Sequence, residues 1–171
     1  QIGLTELNDA VAEALSKHQG GLRLRRLTKL SDAAAESLSR HQGRLNLNGL
    51  TELSDSAAKA LAKHQPRTNV RSRHYAGKTD LSLGLKEISD TAAKALSKHQ
   101  GMLALYGIKK LSKAAAEALS KHQGQINGHK PSVWTKDVMK YQAAEEKTRK
   151  AKTKKVKKQP GFEVLRQRAI G

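Results

Sequence analysis

The chain has no cysteine, and its 171 residues include only one Phe, one Trp and three Tyr. The missing thiols exclude disulfide frameworks, thiolate nucleophiles and cysteine-based zinc or iron–sulfur sites, and they leave the compartment open. A core so poor in aromatic rings has to be built from Leu, Ile and Ala, which favours repeated aliphatic layers over a globule gathered around large side chains. No apolar run approaches the roughly 20 residues of a membrane span, and the first residues lack the basic, apolar and small-residue regions of a signal peptide. Phosphate-binding glycine loops, paired acid–base carboxylates and spaced metal ligands are missing as well. The sequence therefore predicts a non-enzymatic protein with no cofactor, no metal and no membrane partner. Acidic charge is scarce: 15 Asp and Glu face 33 Lys and Arg, a net charge of +18. Such an excess attracts phosphates, anionic lipid or acidic protein surfaces and says nothing about fold.

What the chain does have is repetition. The stretch LTELSDSAAKALAKHQ at 50–65 returns as LTELNDAVAEALSKHQ, LTKLSDAAAESLSRHQ, LKEISDTAAKALSKHQ and IKKLSKAAAEALSKHQ, and its histidine falls at 18, 41, 64, 99 and 122. The intervals are 23, 23, 35 and 23, a fixed period interrupted once. In the unit at 44–66, Leu45 and Leu47 alternate with Asn46 and Asn48, the period-two pattern of a strand with one buried face. Leu22 and Leu24, Leu81 and Leu83, and Leu103 and Leu105 do the same. Leu53, Ala57, Leu61 and His64 then recur at helical spacing, with Ser54 or Asp55 placed to cap the helix start. Gly20, Gly43, Gly101 and Gly124 follow HQ as helix-closing residues. Each unit predicts one strand and one helix, which fit 23 residues where a helix pair does not.

The pattern LxLxGLxxLSDxAAxALxKHQG resembles the leucine-rich repeat family over residues 1 to about 124, as a short, alanine-rich variant. It departs at the family's asparagine position, held here by Leu4, Leu27, Leu50, Leu85 and Ile108. The resemblance implies an α/β strand–helix solenoid of about five units at 1–128, with parallel strands on the concave face and helices on the convex one. Without an asparagine ladder, the turn after each strand must satisfy its backbone in another way.

Three departures from the repeat bound this expectation. Only Gln1 to Gly3 precede Leu4, so either more chain comes before the first unit or a partner covers the open N-terminal end. A loop of about 66–80 lies between the third and fourth full units and is rich in arginine. Trp134, Val138 and Tyr141, spaced i, i+4 and i+7 with Met139 beside them, predict a capping helix over 129–146 that plugs the C-terminal end. Beyond it, residues 147–171 form a basic tail, read as a solvated helix extension or disordered arm.

Ser, Asp and His in every copy suggest a catalytic set, but Ser54 and His64 sit roughly 14 Å apart on one helix, and stacking places like beside like. They read as a cap and a C-terminal dipole partner. A straight row of imidazoles does not converge on a metal, though their joint protonation in acid is expected to weaken the array. The candidate protein-binding residues lie elsewhere: Arg23, Arg25, Arg44, Asn46, Asn48 and Tyr106 on the strand face, and Arg67, Arg71, Arg73 and Tyr75 in the loop. Candidate contacts to RNA or DNA backbone are Lys147, Arg149, Lys150, Lys152, Lys154, Lys155, Lys157 and Lys158. Residues 129–171 hold 13 of the 33 basic side chains and only 4 of the 15 acidic ones. Such an arm binds nucleic acid, solubilises the chain or targets it, and the sequence leaves these alternatives open.

Overall fold

A computed structural model describes residues 5–65 and 80–157, with the backbone alone at 154–157. The chain alternates helix and strand: α1 (Asp9–Ser16), β1 (Leu22–Arg23), α2 (Asp32–Ser39), β2 (Leu45–Leu47), α3 (Asp55–Ala62), β3 (Leu81–Leu83), α4 (Asp90–Leu96), β4 (Leu103–Leu105), α5 (Lys113–Ser120) and α6 (Pro131–Lys157). The four strands form one parallel sheet in the order β1-β2-β3-β4. Leu22, Leu45, Leu81 and Leu103 are aligned in register, as are Leu47, Leu83 and Leu105. The extra residues before Asp80 leave the pairing of β2 with β3 intact, so the insertion interrupts the sequence without interrupting the sheet.

Helices α1 to α5 pack in sequence, each on the next, and α6 packs on α5. Alanine makes this close approach possible: Ala34, Ala35, Ala57, Ala58, Ala93 and Ala115 are fully buried between helices and sheet. The strand leucines and Leu27, Leu50, Leu85 and Ile108 supply the rest of an aliphatic core. Those last four stand just after the strands, where a short turn satisfies the backbone, with the Leu27 N–H donating to Leu24 O at 3.2 Å and Leu50 N–H to Leu47 O at 3.0 Å.

The sheet does not end in an open edge beyond β4. Leu103 N–H donates to Gln125 O, and the Asn127 amide accepts from Leu105 N–H at 2.7 Å while its own Nδ2 faces Leu105 O at 3.3 Å. Asn127 achieves this with φ of 52°, a conformation asparagine tolerates better than most residues. One side-chain amide thus imitates the next strand and blunts the edge.

Helix α6 continues through Lys157, about 40 Å in all, so residues 147–157 take the helix extension that was one of the two expected forms of the tail. Its inward side, however, is rotated from the expected one. Trp134 is 7% exposed and Val138 and Met139 pack on the core, but Tyr141 is 51% exposed. The next inward position is Gln142, whose Oε1 accepts the Leu111 N–H at 3.0 Å. About two turns of contact were expected from apolar residues alone, whereas the last contact is polar and satisfies a buried amide. Leu4 and the rest of 1–4 lie outside the described residues; on the first helix Val11 is 36% exposed where its counterpart Ala34 is buried.

Candidate functional site

The recurring Ser, Asp and His form two ladders on separate edges of the array. On the helix-start edge, Ser31, Ser54, Ser89 and Ser112 each accept a backbone N–H three residues on, at 2.9 to 3.0 Å, from Ala34, Ala57, Ala92 and Ala115. Asn8 does the same for Val11. Each serine hydroxyl then donates backwards, to the aspartate that opens the preceding helix: Ser31 to Asp9, Ser54 to Asp32, Ser89 to Asp55 and Ser112 to Asp90. Ser and Asp therefore divide the work that the sequence assigned to either, the serine capping its own helix and the aspartate anchoring the next unit. Ser54→Ala is expected to cost about 1–2 kcal/mol, a cap plus an inter-unit bond. Asp32→Ala combined with it should add less than its own separate cost, which urea melts of the two single variants and the double variant will measure.

On the opposite edge the imidazoles stack, His18 on His41, His64, His99 and His122, with ring centroids 5.9 to 6.5 Å apart and planes within 12°. The Nε2 of His41, His64 and His122 meets a glycine carbonyl of the unit before, Gly20, Gly43 and Gly101, each at 2.9 Å. Burial pushes His41 and His64 below the ordinary imidazole value, partly offset by those carbonyls. His99 has no hydrogen-bond partner for either ring nitrogen among the described residues. Burial first, then the neighbouring His64 and His122, push it to about 4, with the Ala62 carbonyl recovering a little. The expected capping and packing role fits His41 and His64, which meet carbonyls, whereas favouring the helix dipole as a cation is opposed at all three, because burial disfavours the protonated ring. Among the described residues no group of three or more side chains is gathered to hold a metal ion.

The strand face keeps part of the expected set. Arg23, Arg25, Asn48 and Tyr106 are exposed, Tyr106 to 63%, while Arg44 and Asn46 are half-buried. Ser82 and Ala104, also on this face, are only 5% and 0% exposed, because short side chains in register beside each other sink below their neighbours. No family model, curated protein or solved structure matches the chain. Its surfaces alone carry the functional argument.

Loop candidates Arg67, Arg71, Arg73 and Tyr75 lie outside the described residues, as does Lys158. Lys154, Lys155 and Lys157 lie on α6, and their side chains are likewise outside the description. Lys147, Arg149, Lys150 and Lys152 are exposed along α6, with Lys150 3.2 Å from Glu146. A further basic group was missed by the sequence reading because it hides inside a repeat. Helices α1 to α4 each open with an aspartate, whereas α5 opens with Lys113, three residues after the exposed pair Lys109 and Lys110. The signal was there as a departure from the consensus.

Proposed function

We propose that the chain is a short leucine-rich-repeat-like solenoid acting as a non-enzymatic protein-interaction module, with its strands on a concave face and its alanine-rich helices outside. The in-register parallel strands, the single helix per unit and the neighbour-to-neighbour packing support that architecture. One observation carries the functional reading. Strand-face positions 22–25, 45–48, 81–84 and 103–106 contain no carboxylate, yet they present Arg23, Arg25, Asn46, Asn48 and an exposed tyrosine, Tyr106. Arg and Tyr are the residue types that dominate binding hot spots, and their charge selects an acidic segment. Arg23→Glu with Arg25→Glu is expected to weaken binding of a labelled acidic peptide at least tenfold, read by fluorescence anisotropy with the circular dichroism unchanged. Binding indifferent to both reversals overturns the reading.

A second reading, a nucleic-acid-associated protein contacting RNA or DNA backbone, is favoured by the exposed row Lys147, Arg149, Lys150 and Lys152 on α6. Salt separates the two. Phosphate-driven affinity falls by orders of magnitude between about 50 and 200 mM salt, whereas an aromatic-anchored peptide complex declines far less.

A further inference from the structure

The helix-start edge changes sign along the array. The two residues before each capping pair, with the first residue of the helix, carry Glu6 and Asp9 in the first unit, Lys29 and Asp32 in the second, Glu52 and Asp55 in the third, and Lys86, Glu87 and Asp90 in the fourth. In the fifth they are Lys109, Lys110 and Lys113, three cations and no anion. A lysine in the first turn opposes the helix dipole, and three exposed ammonium groups within five residues repel one another. Among the described residues none of the three has a salt bridge (every one described lies elsewhere). Glu117, one turn along α5, attracts Lys113 but already has its own partner in Lys121 at 3.0 Å.

Helix α6 brings one member of the cluster, Lys110, into the wall of a cleft, with Lys109 and Lys113 on the flanking turn. The Gln142 bond to Leu111 fixes α6 beside the Lys110 turn, and between them lies an open space of about 770 Å3. Its described lining includes Lys110, Arg149, Lys152 and the exposed ring of Tyr141. Two carboxylates share the wall, and both are engaged: Glu146 pairs with Lys150, and Glu145 accepts the Tyr141 hydroxyl at 3.1 Å, which holds that phenol above its ordinary value. The described lining holds three cations, Lys110, Arg149 and Lys152, against these two carboxylates, and its aromatic ring is 51% exposed.

We infer that this cleft, between the β4–α5 turn and α6, binds a segment of single-stranded nucleic acid. Lys110, Arg149 and Lys152 contact phosphates within the cleft, Lys109 and Lys113 hold those that leave it along the flanking turn, and an unpaired base stacks on Tyr141. Cations that follow a backbone beside an aromatic platform are the combination that single strands require, and a duplex keeps its bases out of reach of the ring. The site extends the second reading from the helical arm to the body of the fold, where the arm and the last unit act together. It shares no residue with the strand-face arginines, so the two surfaces fail or succeed independently.

The test uses the full chain and a labelled single-stranded uridine 20-mer, titrated by anisotropy from 50 to 200 mM salt. Lys109→Ser, Lys110→Ser and Lys113→Ser together are expected to weaken binding tenfold or more and to reduce the slope of log affinity against log salt by about 2, at roughly 0.7 per phosphate contact. Tyr141→Ala should weaken it about fivefold or more, and Tyr141→Phe should keep the wild-type affinity. Removing three cations from the far edge, with Lys17→Ser, Lys63→Ser and Lys98→Ser, should cost less than threefold. Equal losses from both triple variants, or a duplex that binds as tightly and ignores Tyr141→Ala, overturn the inference. A single-stranded deoxyribonucleotide of the same length reports whether the 2′-hydroxyl contributes, and a complete lack of binding to both strands also overturns it.

Discussion

Replacing Gly43 with alanine is expected to cost about 3 kcal/mol or more and to lower the melting temperature by roughly 6–12 °C. The reason is not the conformational freedom of glycine. A Cβ at Gly43 stands 1.7 Å from the carbonyl oxygen of Gly20 and 2.7 Å from His41 Nε2, the two partners of one inter-unit hydrogen bond. Backbone cannot retreat as a side chain can, so the units must separate and the His41 bond must break. Gly124 repeats the arrangement against Gly101 at 1.9 Å. Gly128 supplies the control: its φ of 81° is left-handed, but a Cβ there meets nothing within 4 Å. Gly128→Ala should cost only about 1–2 kcal/mol, the ordinary penalty of that conformation. Urea melts of the two variants that give equal losses would show that close approach is not what glycine provides at position 43.

The second large effect is a loss of stability in mild acid. His41, His64 and His99 are all held below 6.5 in the folded chain, and an unfolded chain titrates near 6.5. Their contribution is therefore complete above about pH 6.5 and is lost as pH falls through that value, because only the unfolded state then takes up protons. For His99 the loss continues to about pH 4, where the folded ring accepts a proton as well. Between pH 7.5 and 5, His99 alone accounts for about 2 kcal/mol, and His41 and His64 add to the same slope. His64 and His122, on either side of His99, reinforce this, while Asp80 acts on His64 in the opposite direction. Equilibrium urea unfolding at half-unit pH steps should show the decline, and His99→Gln should flatten it by its share. A His99→Gln slope identical to wild type would remove the buried row as its source.

Much of this architecture was legible because it is periodic. Leu45 and Leu47 alternate with polar residues, and so do their counterparts in the other units, so strand positions and register could be read without coordinates. Ser54 as a cap was equally plain, since the amide it accepts is three residues away. The other half of that serine's bonding was not, because Asp32 lies 22 residues back and nothing local marks the pair. Gly43 failed for a related reason. It stands where a helix-closing glycine belongs, yet among the glycines after HQ only Gly20 and Gly101 have positive φ, at 105° and 131°. Gly43 and Gly124 are required by the neighbouring carbonyl, which a local pattern does not contain. Tyr141 was placed inward by its spacing from Trp134, whereas the helix spends that last contact on Gln142 and the Leu111 amide. Lys109, Lys110 and Lys113 were hidden by the repeat itself, since aligning five units draws the eye to what they share.

The serine–aspartate ladder also tells how such a chain can lengthen. Every aspartate serves the unit after it, so a 23-residue duplication placed among the first four units finds an acceptor waiting at both junctions. Spliced after the fifth, the new serine would meet Lys113, which offers it no lone pair. Growth of the array is thus directional: whole units can be copied from within, and the last one is written as a stop.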